Sequence, residues 1–276
     1  MAVSVDNMNK GRVIYEDEAE PHFRLAYPSP ALTAFVEYYF EVNQAATLAN
    51  PLYLNGLPNL SNLLCISLRP QNWLSINQRN GVIKTVGGSR FLGNLTDLHT
   101  SIYPAGVHEF YIKFKPGLLG KLFRLSPADV QNANADLENF IRLPALENQL
   151  QAVSAFRERV QRIEPILLKR LDRFETNYRF QVVQTVLRRF EQASGGSHLV
   201  KLGRELGISY PSLHRYFAET LGYSPKYCQK VIRFRKALHL YKQHGSRFSF
   251  DEIGYTDFSH FVKDARQLTH RLPSEL

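Results

Sequence analysis

The stretch from Leu202 to Phe217, LGRELGISYPSLHRYF, leaves this chain few choices. Its apolar residues recur at three- and four-residue spacing, the pattern of a helix packed along one side. Gly207 and Pro211 interrupt that pattern within five residues. One helix cannot run through both, because an interior proline loses a hydrogen bond and its ring meets the preceding turn. Two helices joined by a tight turn can. Leu199, Leu202 and Leu206 make the apolar stripe of the first, over 198–206. Gly207 can take the left-handed conformation that closes it, and Ile208 drops into the core. Ser209 then caps the second helix, with Pro211 in its first turn, where a missing N–H costs nothing. Leu213, Tyr216 and Phe217 face inward. Tyr210, Ser212, His214 and Arg215 face outward, and Gly222 ends the helix. Gly203 costs a helix about 1 kcal/mol relative to Ala, so its presence predicts a second helix crossing closely at that point.

Helix, turn and helix is the geometry that places the start of a second helix in the DNA major groove. Arg215 can pair bidentately with guanine, and His214 and Ser212 can reach base edges or phosphates. The charge distribution agrees. The chain carries +9, and residues 173–276 hold 17 Lys+Arg against 9 Asp+Glu, an excess of 8. A basic half beside a near-neutral half points to a polyanionic partner for the basic one.

Ser224 and Pro225 open a further helix, SPKYCQKVIRFRKALHLYKQ, with Tyr227, Val231, Phe234, Leu238 and Tyr241 as its seam. Lys226, Lys230, Arg233, Arg235, Lys236 and Lys242 take the remaining surface, and Lys226 and Lys230 are read from charge as phosphate contacts. About 19 residues at ~1.5 Å each span ~28 Å, close to one ~34 Å turn of DNA. Such a rod can hold two reading heads in successive grooves. The second head is GYTDFSHFVKDARQLTHRLPSEL, capped by Thr256 or Asp257, with Phe261, Ala265 and Leu268 inward and Ser259, His260, Lys263 and Arg266 outward.

With L-G-R-E-L-G-I-S-Y-P-S-L-H-R-Y-F, L-G-Y-S-P-K-Y, R-F-R-K-A-L-H-L and G-Y-T-D-F-S-H-F in place, and Pro273 at the end, the region from Tyr178 to Leu276 resembles the AraC/XylS family of bacterial transcription regulators. The resemblance implies a double helix-turn-helix reader of double-stranded DNA. It assigns Tyr210, Pro211, Ser212, His214 and Arg215 to the first recognition helix, and Phe258, Ser259 and Lys263, with His260 beside them, to the second. It also implies an activator that meets RNA polymerase. Three positions depart from the family pattern. Phe250–Gly254 is two to four residues short of the usual first helix of the second unit, Ala265 stands where Phe is preferred, and His270 where Gly is. The second unit is therefore expected to have a shortened first helix and a thin core, and the first to dominate base reading.

Residues 13–115 read mainly as β. FYIKF, with Phe110, Ile112 and Phe114 on one face, is the clearest strand. Pro30 to Val42 fits a short helix running into a strand, and helices follow Pro116 and Ser126. From about Leu143 the pattern is helical, interrupted at Pro165. P-S-P-A-L-T-A-F-V-E-Y-Y-F and V-H-E-F-Y-I-K-F-K-P-G resemble the front domain of one branch of the same family, which implies a barrel-like sensor or dimerisation module. The expected architecture is α+β: a β-rich domain over 1–142, a helical connector over 143–172 and a DNA-binding domain over 173–276. A small-molecule effector in the front domain and a homodimer go with it.

Other chemistries find little support. His22, His99 and His108 match no metal-ligand spacing, and Cys65 and Cys228 lie too far apart for a redox or metal motif. His108-Glu109 lacks the Pro-Cys-x-x-Cys of a zinc deaminase. Gly117–Lys121 is not a phosphate loop, since the spacing is wrong and Leu122 replaces Ser or Thr. Trp73 reads as a core or rim residue. No nucleophile–base pair, cofactor or metal is indicated, and the protein is expected to bind rather than catalyse. No apolar run approaches the ~18–20 residues of a membrane span, and the first residues lack an apolar signal stretch, so a cytoplasmic, reduced protein is expected. The rival reading is an interaction or small-molecule-binding protein whose DNA reader has degenerated.

Overall fold

The computed structural model describes residues 22–45, 50–123, 125–130, 134–136, 144–171, 177–192 and 199–276. The chain divides into two units, Met1–Leu57 with Ser61–Phe174, and Pro58–Leu60 with Glu175–Leu276. The first is rich in β-structure and the second is helical, an α+β arrangement.

Among the described residues, ten strands build the first unit: β1 (Phe23–Ala26), β2 (Val36–Asn43), β3 (Leu52–Gly56), β4 (Asn62–Ser67), β5 (Trp73–Asn77), β6 (Ile83–Val86), β7 (Arg90–Leu92), β8 (His99–Tyr103), β9 (His108–Phe114) and β10 (Asn134–Asp136). They form two antiparallel sheets, one ordered β1-β2-β9-β4-β7-β10 and the other β3-β8-β5-β6. The β-rich, barrel-like unit expected from sequence is thus built of two sheets that do not close. The segment after Ser29 is one 3-10 turn, Pro30–Leu32, leading into β2.

Alternation along β9 sorts the layers. Phe110, Ile112 and Phe114 are buried on one face. Tyr111 on the other joins Val42, Cys65, Trp73, Val86, Tyr103 and Val107 in a core between the sheets. Trp73 is buried, and its indole N–H donates to Glu109, which also pairs with Arg90 Nη2 at 2.5 Å. Helices α1 (Leu118–Phe123), α2 (Pro127–Val130), α3 (Pro144–Gln151) and α4 (Phe156–Leu171) complete the unit. The Phe110 face meets Phe156 of α4, with ring centroids 5.9 Å apart.

Pro165 lies inside α4 and does not end it, contrary to the sequence reading. The break falls earlier, at 152–155, between α3 and α4. Anchors on both sides of Pro165 explain its tolerance. Arg159 Nη1 bonds buried Glu41 of β2 at 2.7 Å, and Glu164 accepts from Ser29 N at 2.8 Å and from the Tyr39 hydroxyl at 3.3 Å. Ile163 and Leu167 are buried. Tertiary docking here outweighs the proline penalty of about 3 kcal/mol.

The second unit contains α5 (Tyr178–Gln192), α6 (Leu199–Glu205), α7 (Tyr210–Leu221), α8 (Pro225–His244) and α9 (Phe258–Thr269). Phe180, Val183, Val186, Leu187 and Phe190 of α5 pack with Leu213 and Phe217 of α7 in its core. The turn expected at Ala193–Ser197 lies outside the described residues. Among the described residues, no helix is long and apolar enough to cross a membrane.

Candidate nucleic-acid interface

The α6–α7 corner is closed by backbone bonds that the sequence dictates. Gly207 has φ +66°, the left-handed region that L side chains rarely adopt. Its N–H donates to Arg204 O at 3.1 Å, and the N–H of Ile208 donates to Gly203 O at 2.8 Å. These two bonds form a Schellman motif, which satisfies the last carbonyls of α6. A Cβ at Gly203 would lie 2.8 Å from Ile208 O. The expected crossing helix is absent from that contact: what needs the glycine is the carbonyl of its own turn.

Ser209 caps α7 by accepting from Ser212 N at 3.3 Å, Pro211 sits in the first turn, and Gly222 closes the helix in the left-handed conformation. Leu213, Phe217 and Leu221 are buried. Tyr216, read as inward from sequence, is only half-buried. Its ring meets Tyr178 edge-on at 6.3 Å, and the guanidinium groups of Arg179 and Arg215 lie over it at 5.5 and 5.7 Å. The outer face is open. Tyr210, Pro211, His214 and Arg215 are exposed, and Ser212 is half-buried, its hydroxyl 3.0 Å from that of Ser209. The sequence reading missed Tyr178 and Arg179. They begin α5 and stand beside Tyr216, and Arg179 is tied to Glu219 of α7 at 2.7 Å. Nothing in their own segment signalled this, because their partners lie about 40 residues on.

α8 starts at Ser224, which accepts from Tyr227 N at 3.1 Å, and runs for 20 residues, about 30 Å at ~1.5 Å per residue. Val231, Phe234, Ala237 and Leu238 are buried, whereas Tyr227 and Tyr241 are half-buried. Lys226 is exposed. Lys230 is half-buried and donates to Gln267 at 2.7 Å, with Asp264 3.8 Å away. Arg233 was placed on the surface by sequence, yet it turns inward to Asp264 at 2.6 Å and to Gly254 O at 3.0 Å.

The second head departs from the first. Its opening helix is a single 3-10 turn, Asp251–Ile253, ended by Gly254 at φ 86°. Asp257 caps α9 by accepting from His260 N at 2.8 Å. The core is not thin. Phe261, Ala265 and Leu268 are buried, and rings fill the space around Ala265's helix. Phe261 lies 5.6 Å from Tyr255, 5.9 Å from Tyr241 and 6.2 Å from both Phe234 and Phe250. His270 ends α9 at φ 60°, the one non-glycine residue with positive φ among those described.

Of the second-head candidates, Ser259 and Lys263 are exposed on α9. Phe258 is 38% exposed, but its ring stacks on Tyr241 at 5.8 Å. His260 is half-buried, edge-on to Tyr255 at 5.0 Å. Ser259, Val262, Lys263, Arg266, Gln267 and His270 together line an open groove of about 550 Å³. Val262, Gln267 and His270 were not anticipated as lining residues.

In the first unit, His99 Nδ1 is 3.2 Å from Ser75 Oγ and His108 Nε2 is 3.0 Å from Glu41. Among the described residues, no three His, Cys, Asp or Glu side chains converge as a metal site. Burial pushes the thiols of Cys65 and Cys228 up, which leaves them protonated and inert.

Comparison with known families matches residues 202–276 to a helix-turn-helix domain. No curated protein matches the chain. Among solved structures, the chain is similar to ToxT from Vibrio cholerae O395, at 10% identity over 93% of this chain and 97% of that one, with a TM-score of 0.44. A ToxT structure from Vibrio cholerae strain SCE256 with an unsaturated fatty acid bound is 11% identical over 94% and 95%, with a TM-score of 0.42. The AraC-like transcriptional activator CuxR is 14% identical over 81% and 88%, with a TM-score of 0.24.

Proposed function

We propose that this chain is a DNA-binding transcription regulator that selects its site through its carboxy-terminal helix-turn-helix domain: α7 enters the major groove and reads sequence, and α9 follows in the next groove. The observation that carries the reading is the outer face of α7. Tyr210, His214 and Arg215 project from a helix whose start is fixed by the Ser209 cap and whose other side is sealed by Leu213 and Phe217. Arg215 is the base reader, with a fork suited to guanine O6 and N7. His214 and Tyr210 extend the contact, and Pro211 and Ser212 set the helix start against the backbone.

On α9, Ser259 and Lys263 lie toward the groove, with Arg266 beside them. Phe258 and His260 contribute mainly by holding the cap. Lys226 meets phosphate freely, whereas Lys230 must first release Gln267. The basic charge of the unit supplies non-specific affinity that falls with salt. The regulator acts in the cytoplasm as an activator that engages RNA polymerase. Its front unit supplies dimerisation or an effector response, a role that fits its two packed sheets.

Selection of duplexes from a random pool, repeated with Arg215→Ala, tests this. The wild type should yield a defined motif, and the variant should lose preference at one base pair, worth ~1–3 kcal/mol, while binding random DNA almost as well. The same motif from both proteins refutes the assignment of Arg215. Binding indifferent to salt and sequence supports the rival, a reader turned interaction module.

A further inference from the structure

We propose that Arg233 is the positioning residue of the second reading helix: an inward cation that fixes the angle of α9 and touches no phosphate. The inference rests on the reading that α9 faces DNA. A helix-turn-helix normally braces its second helix against its first. Here the first is one 3-10 turn, Asp251–Ile253, too short to brace a 12-residue helix. The ring cluster of Phe250, Phe258, Phe261 and Tyr241 supplies burial, but apolar packing is non-directional. It lets a helix rotate or slide with little penalty.

Arg233 supplies the missing direction. Its Nη2 donates to Asp264 Oδ2 at 2.6 Å and its Nη1 to Gly254 O at 3.0 Å, and its guanidinium lies over the Tyr255 ring at 4.3 Å. One planar fork thus grips α9, the left-handed end of the 3-10 turn and the residue after it. Asp264 is 4% exposed. A carboxylate that deep is tolerated only when paired, so α9 is held at the rotation that brings Asp264 to Arg233. Lys230 adds a second link through Gln267 at 2.7 Å. That rotation leaves Ser259, Lys263 and Arg266 on the exposed side of α9. A lysine at 233 keeps the charge but cannot make the bidentate and stacked contacts together.

The experiment compares the full-length wild type with Arg233→Met, Arg233→Lys, Asp264→Asn and Lys263→Ala, by selection from random duplexes and by salt titration on non-specific DNA. Arg233→Met should keep the half-site read by α7 and lose discrimination at the second by about fivefold or more, the least expected of one good base contact. Its salt slope should stay at the wild-type value, whereas Lys263→Ala lowers the slope by about one. Arg233→Lys should recover part of the second half-site. Asp264→Asn, which spares the Arg233 bond to Gly254, should lose it partially, and this guards against a result caused by unfolding. A slope lowered by about one in Arg233→Met makes Arg233 a phosphate contact and overturns the proposal. So does an intact second half-site in Arg233→Met, or a wild-type profile in Asp264→Asn. A wild type that selects only one half-site removes the underlying reading of α9, and the proposal with it.

Discussion

Replacing Gly203 with alanine sets two effects of opposite sign against each other. Helix propensity alone favours the substitution by about 1 kcal/mol. The structure opposes it. The new Cβ would lie 2.8 Å from Ile208 O, 0.6 Å inside the 3.4 Å at which ordinary contact begins. The obstacle is backbone, held by the 2.8 Å bond from Ile208 N to Gly203 O, so no side chain can rotate to relieve it. Overpacking of this kind costs about 1–3 kcal/mol, leaving a net loss of about 1 kcal/mol. For a unit of about 100 residues that is a fall of ~4–8 °C in Tm. Far-UV circular dichroism is dominated by the helical unit, with a smaller share from α1–α4, and fluorescence of the single tryptophan, Trp73, reports the β-rich unit. The helical transition should fall while the tryptophan transition stays. Relief of the clash also moves Ile208 and the Ser209 cap, so sequence-selective DNA binding should weaken with stability. A rise of a few degrees in the helical transition would refute the close approach.

His270→Gly should stabilise the second head. A left-handed L residue costs about 1–2 kcal/mol, and glycine gives back up to about 1 kcal/mol in chain entropy, so a gain of several tenths to 1 kcal/mol should raise the helical Tm by a few degrees. Arg159→Met removes the 2.7 Å partner of buried Glu41. Breaking such a pair costs up to about 3–5 kcal/mol, less here because His108 and Arg24 remain 3.0 and 4.0 Å from Glu41, and the loss should appear in the tryptophan transition. His99 is held below its ordinary value of 6.5 by burial, offset in part by Asp97 and reinforced by Lys84. Between that value and its lowered folded value the unfolded chain binds a proton that the folded one refuses, so stability rises with pH across that window and is lost as pH falls through it. His99→Gln should flatten the decline in urea midpoints measured below pH 6.5.

What could be read from sequence was local. The Ser209 and Ser224 caps and the left-handed Gly207 each depend on residues within a turn or two, and each stands where spacing places it; of the two caps offered for the last helix, Asp257 rather than Thr256 accepts the bond. What could not be read depends on distant partners. Pro165 stays helical because Glu164 and Arg159 are tied to residues more than 100 positions earlier. The sheet order was hidden because pairings such as Val42 with Glu109 join distant segments, and alternation gives a strand's face but not its neighbour. Arg233 looked like one more surface cation because Asp264, its reason for turning inward, is 31 residues away.

The second head shows how a short first helix can still leave its second helix firmly packed. Losing most of a helix removes apolar area and a direction at once. The area returns through rings on either side: Phe248 and Phe250 before the turn, 4.3 Å apart, and Phe258 stacked on Tyr241 after it. The direction returns through a charged fork that needs one residue on α8 and one on α9. The two replacements differ in their response to conditions. Ring packing is indifferent to salt, and the half-exposed phenylalanines can shift without breaking a bond. The Arg233–Asp264 pair is buried enough to be weakly screened, so under the proposed mode of binding it holds α9 at salt concentrations that would strip Lys226 and Lys263 from phosphate. Raising salt should therefore weaken both heads in affinity before it loosens the geometry between them. Half-site spacing, set by the rod and the fork, should stay constant across a salt series in which overall binding falls by orders of magnitude.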